Sequence, residues 1–113
     1  MTKITITPAA GIWVVRAGGA VLGESPNALE LREDGHEPVI YFPRDDIGMA
    51  FLDRTDHTTT CPHKGTANYF SIASKSTTYE NAAWSYEDPK PDLAAIKGHI
   101  AFYEQDGVAV EQI

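Results

Sequence analysis

Residues 28–33, Ala-Leu-Glu-Leu-Arg-Glu, alternate apolar and charged side chains. That period of two suits a strand with one wet face and does not suit a helix. In this register Leu29 and Leu31 face inward, with Glu30 and Arg32 on the other face. The same signature recurs between turn signals along the chain. Ile4 and Ile6 alternate with threonines, and Trp13-Val14-Val15 continues in β-favouring residues. Ala17-Gly18-Gly19-Ala20 reads as a hairpin turn, since glycine accepts positive φ at both central positions. Asp34-Gly35 predicts a second turn, and Val39-Ile40-Tyr41-Phe42, apolar on both faces, predicts a central strand. Strands are expected at 58–60, 67–73 and 79–86. A closing hairpin is expected to join 99–103 to 108–110 across Gln105-Asp106-Gly107.

Two segments break the pattern. Pro43-Arg44-Asp45-Asp46, followed by Ile47, Ala50 and Phe51 at helical spacing, predicts a short helix capped by an aspartate and ending near Asp53. Leu93–Ile96 predicts a helical turn stopped by Gly98. The total, roughly eight or nine short strands with two helical turns, is a mainly-β domain.

A chain of 113 residues fits one domain, and at this size a core forms without disulfide or metal staples. The single cysteine makes no internal disulfide and gives no sign of an oxidising compartment. No apolar run is long enough for a leader or a membrane span, so a cytoplasmic protein without membrane association is expected. The net charge is −7 and the nine basic residues form no run, which argues against nucleic acid as a partner.

Residues 58–70, TTTCPHKGTANYF, concentrate the chemistry. A neighbouring lysine or protonated histidine stabilises a thiolate, so Cys61 beside His63 and Lys64 is a candidate nucleophile. Free cysteine is also a common small hydrophobe, and Pro62 with Gly65 suits a tight turn. Zinc would need more than Cys-x-His, since structural sites use paired knuckles and there is no second cysteine; no bound metal is expected. Trp84 and Tyr86 are two apart and project from one strand face, where aromatic rings serve a mostly apolar pocket or a core. Arg32-Glu33 and Arg44-Asp45-Asp46 flank the 39–42 strand. With Lys64 they are solvated strand ends, or charges that orient a ligand.

The motifs LRE (31–33), YFPRDDI (41–47), L-x₈-CP-x-KG-x-A-x-Y (52–69), AAW-x-Y-x-x-P (82–89) and G-x-I-A-F-Y (98–103) occur in that order. Together, over residues 18–103, the chain closely resembles the bacterial domain-of-unknown-function 427 family. The resemblance implies a single β-tent domain over 1–113, two antiparallel sheets of short strands leaning together, with one or two short helical turns. The fold's relatives include the thalidomide-binding domain of cereblon and the methionine sulfoxide reductase B enzymes. These usually carry a zinc knuckle of paired cysteines; this sequence has none, so side-chain packing must hold the tent. The family is also labelled nucleotidyltransferase-like, but Asp45-Asp46 is only a pair of carboxylates, and a pair at a helix start has a capping explanation. In the family's CP-x-KG motif His63 occupies the variable position, which moves the emphasis to Lys64 and Cys61, presented by a turn at a pocket rim.

The expected site comprises Arg32, Tyr41, Asp46, Cys61, Lys64, Tyr69, Trp84 and Tyr86, binding a small molecule without a cofactor. An enzyme using Lys64 or Cys61 for redox or group-transfer chemistry is the alternative. A homo-oligomeric interaction domain without ligand, pairing through exposed sheet edges, is a further one.

Overall fold

The computed structural model describes residues 3–113. Among them are ten strands: β1 (Ile4–Pro8), β2 (Trp13–Ala17), β3 (Ala20–Ser25), β4 (Leu29–Glu33), β5 (Val39–Tyr41), β6 (Leu52–Cys61), β7 (Gly65–Ala73), β8 (Thr78–Ser85), β9 (Ala101–Phe102) and β10 (Val108–Gln112). Helical structure is limited to 3-10 turns at Arg44–Asp46, Met49–Phe51 and Pro91–Ile96. The protein is mainly β, as its alternating sequence requires. No described helix is long and apolar enough to cross a membrane.

The strands form three antiparallel sheets, ordered β1-β4-β5, β10-β2-β3 and β6-β7-β8-β9. Phe42 and Ile100 exchange both backbone hydrogen bonds at 2.8 Å. That pair stitches β5 to β9, so the first and third sheets continue edge to edge and the β10-β2-β3 sheet packs on one side of them.

Alternation along the strands then sorts side chains into two cores. Phe42, Phe70, Ile72, Ala83, Ile100 and Phe102 meet Val15, Leu22 and Val108 of the smaller sheet. On the opposite face Leu31, Tyr41, Ala67, Tyr86 and Ala101 pack under Leu93 and Ile96 of the last 3-10 turn. The 39–42 segment contributes to both, Tyr41 to one core and Phe42 to the other, although β5 is the edge strand of its own sheet and not the central strand expected.

Three further expectations need correction. The helix over 44–53 is replaced by two separate 3-10 turns with no side-chain cap. Ile47 between them is extended and bridges to Gly23, and the Gly48 N–H donates to Leu22 O at 2.8 Å. Cross-chain bonding to β3 outweighs local helical spacing here. The strand expected at 58–60 begins at Leu52, and a bulge separates its Arg54 and Thr58 pairings. The closing hairpin does not form as two paired strands: β9 pairs with β8 and β10 pairs with β2. Only the turn survives, in reciprocal bonds between Gln105 and Val108. The chain crosses there from one sheet to the other.

Candidate functional site

The CPHKG stretch is the turn of the β6–β7 hairpin. Cys61 pairs with Gly65, and the Lys64 N–H closes the turn on Cys61 O at 3.2 Å. Gly65 has φ +113°, and a Cβ there would lie 3.3 Å from Asp88 O, so the backbone of 88–90 packs against a glycine that permits both the turn and the approach. The Lys90 N–H donates to Lys64 O at 3.0 Å, fixing the turn from the far side.

Held this way, Lys64 reaches inward rather than standing at a rim. Its Nζ lies 2.6 Å from Glu33 Oε1, with the two side chains only 14% and 10% exposed. The hydrogen-bonded Lys64 ammonium holds the Glu33 carboxyl below the usual carboxylate range against the opposing effect of burial. Cys61 Sγ is 4.0 Å from the same Nζ.

This ion pair opens on a cavity of about 370 Å³ lined by Tyr41, Cys61, Trp84 and Tyr86 together with Leu31 and Val39. His36 and Glu37, from the β4–β5 connection, stand at its mouth. Trp84 Nε1 donates to Tyr41 Oη at 3.2 Å, and the two rings meet edge to face at 6.4 Å. Burial raises the Tyr41 phenol well above its ordinary value and pushes Tyr86 up to about 12. Tyr86 is 7% exposed, and its hydroxyl finds no hydrogen-bond partner among the described residues. That hydroxyl is not a buried orphan but opens to solvent at the cavity wall, where a ligand can reach it.

Of the residues singled out from the sequence, Tyr41, Cys61, Lys64, Trp84 and Tyr86 come together here. Tyr69 lies behind them: its ring centroid is 6.4 Å from that of Trp84, its hydroxyl bonds Thr59 Oγ1 at 3.1 Å, and His57 packs on it. Arg32 and Asp46 do not join. Arg32 points from the outer face of β4, paired with Glu30 at 2.6 Å. Asp46 accepts a 2.6 Å hydrogen bond from Ser25 Oγ, tying the 44–46 turn to the end of β3. The residue absent from the expected set is Glu33. Its signal was the period of two, which puts Glu33 on the same face as Leu31 and sends Arg32 to the other.

A second polar cluster lies apart from the cavity. Glu87 accepts from Arg54 at 2.6 and 3.0 Å and from Arg44 at 2.9 Å, and both guanidiniums lie over the Phe70 ring. The Arg54 hydrogen bonds hold Glu87 below the usual carboxylate range. With every carboxylate oxygen engaged, the cluster reads as a tie between β6, β8 and the 44–46 turn. Among the described residues no three His, Cys, Asp or Glu side chains gather closely enough to hold a metal ion.

The sequence matches the family described as Domain of unknown function (DUF427) over residues 5–113. The chain belongs to that family. The match takes in β2, β10 and all of β1 but Ile4, beyond the 18–103 span of the motif resemblance, so strands of all three sheets of this DUF427 protein fall within it. Comparison with curated proteins gives no match.

Proposed function

We propose that this DUF427 domain binds a small molecule in the cavity between β4, β5, β8 and the β6–β7 turn. The observation that carries the reading is convergence. Residues far apart in sequence, Glu33, Tyr41, Lys64, Trp84 and Tyr86, line one cavity of about 370 Å³, within the size range of ligand sites. Two features support binding over packing. A desolvated ion pair is a poor way to stabilise a core, yet one borders this cavity, and the Tyr86 hydroxyl beside it is engaged by no described protein group and open to an incoming molecule.

An enzyme built on Lys64 or Cys61 has the 4.0 Å approach of Nζ to Sγ in its favour. Against it, the Lys64 ammonium is committed to Glu33, and a carboxylate held below its usual range is a weak base for that proton. Assembly through sheet edges is disfavoured at β6, whose exposed Asp53, Arg54 and Asp56 are side chains that discourage strand addition.

The test is a thermal-shift screen against a metabolite library, run on the wild type and on Trp84→Ala. A bound ligand raises the midpoint by mass action. Trp84 is only partly buried, so its truncation should lower basal stability by less than the ~3–5 kcal/mol typical of a core tryptophan and should abolish the ligand shift. A loss in the full core range, or hits whose shift survives the substitution, would remove this cavity as the site.

A further inference from the structure

We infer that the ligand is an amphipathic organic cation, an ammonium head on an apolar body, and that its site continues through a split in the sheet beside Trp84. This inference rests on the binding reading above and names the ligand class for that same site.

The split has a structural cause. Among the described residues, Phe42–Ile100 is the one bridge between β5 and β9. Past it the hydrogen-bonded ladder stops: the Tyr103 N–H turns to Ala82 O at 2.7 Å on the far side, and among the described residues nothing bridges back to β5. Pro38, Val39 and Ile40 form one lip of the opening, and Phe102, Tyr103 and Glu104 form the other. Trp13 and Val110 of the facing sheet close it, leaving a cavity of about 390 Å³. Val39 and Trp84 line both this cavity and the one containing Lys64, and the continuous segment Glu37-Pro38-Val39 runs along both mouths. The two spaces therefore share a wall and a rim.

Their chemistry divides as an amphiphile would require. Trp13, Ile40, Phe102 and Val110 offer an apolar berth for a hydrocarbon or aromatic body. The other cavity offers aromatic rings, the solvent-open Tyr86 hydroxyl and the side chains of Glu33, Glu37, His36 and Lys64. Charge fixes the sign of the head. Lys64 is paired with Glu33 and Arg32 with Glu30, whereas Glu37 and Glu104, one at each mouth, have no ion-pair partner among the described residues. An anionic head would meet uncompensated carboxylates. A cation would meet them favourably and lie beside the partly exposed Trp84 ring, whose quadrupole attracts it.

The probes are hexylammonium, hexanoate, hexan-1-ol and tetramethylammonium, titrated into the wild-type protein at fixed ionic strength. Calorimetry gives affinity. Tryptophan emission reports occupancy, because both tryptophans line the split. Hexylammonium is expected to bind at least about tenfold more tightly than hexanoate, the factor a modest cation–π and charge gain provides. Glu37→Gln, at an exposed position, should weaken hexylammonium severalfold. Tyr103→Ala, at a side chain 61% exposed, should weaken hexylammonium while leaving tetramethylammonium unchanged, since only the former has a body. Hexanoate binding as well as hexylammonium, or Glu37→Gln without effect, overturns the cation assignment. Silence from all four probes beside a library compound whose shift depends on Trp84 also overturns it, while leaving the binding reading intact. Silence from probes and library alike removes both.

Discussion

Replacing Glu33 or Lys64 singly by methionine should destabilise the fold, whereas replacing both should be nearly neutral. The Nζ–Oε1 distance is 2.6 Å and the side chains are 10% and 14% exposed. At that separation the Coulomb attraction is about 6 kcal/mol for an effective dielectric constant near 20. Removing two ions from water costs several kcal/mol for each, so the net contribution of the pair is close to zero. Removing one partner leaves the desolvation of the other without compensation. The expected loss is roughly 3 kcal/mol, the low end of the range for buried pairs, because both side chains keep some contact with solvent. Against a total stability of about 5–15 kcal/mol the single variants remain folded and measurable. Urea denaturation of the wild type, Glu33→Met, Lys64→Met and the double variant gives the cycle, with an unchanged denaturant slope as the check on two-state behaviour. The pH dependence adds a signature. Glu33 is held below the usual carboxylate range, so its contribution is present above the unfolded-state value and disappears as pH falls through the depressed one. The gap between the wild type and Glu33→Met should therefore close on acidification. Single variants within about 0.5 kcal/mol of wild type, the scatter of an ordinary surface change, would mean that the pair is not desolvated in solution. A double variant losing as much as both singles combined would mean that the two side chains do not interact, and one losing as much as either single would make the pair a net stabilising element, whose retention for ligand recognition would no longer follow.

Two further outcomes test the packing around the site. Tyr41 and Tyr86 hold their protons above the ordinary phenol value, so the stability they contribute is complete below pH ~10 and drains away as pH rises through their folded-state values. In a phenolate absorbance titration two of the five tyrosines should lag and appear only with loss of the circular dichroism signal; all five titrating together in the intact fold would contradict their burial. Gly23→Ala would put a Cβ 2.5 Å from Asp46 O and Ile47 Cδ1, an overpacking expected to cost about 1–3 kcal/mol. An unchanged thermal midpoint would show that the junction between β3 and the 44–46 turn yields.

What the sequence determined alone is what depends on neighbours along the chain. A period of two fixes which residues share a face, so the strands at 29–33 and 39–42, the Gly18-Gly19 hairpin and the common orientation of Trp84 and Tyr86 were legible before any fold was known. The CPHKG stretch could be read as a turn because Pro62 and Gly65 carry that geometry in their own backbones. The five ordered motifs carried the family. Pairing across the chain was not legible in the same way. Ile47, Ala50 and Phe51 have helical spacing, but the backbone bond from Gly48 to Leu22 and the Ile47–Gly23 bridge take those groups into an extended connection. The residues at 99–103 and 108–110 look like a hairpin, yet each finds a better edge elsewhere, on β8 and on β2. The site shows the same division. Alternation already favoured Glu33 over Arg32 as the inward charge of β4. That Glu33 meets Lys64, thirty-one positions away, and that β5 and β9 share a single bridge beside the cavity at Trp84, follow from how separate ladders meet. Local periodicity carries no information about that meeting, because it sets the direction of a side chain and not what stands opposite.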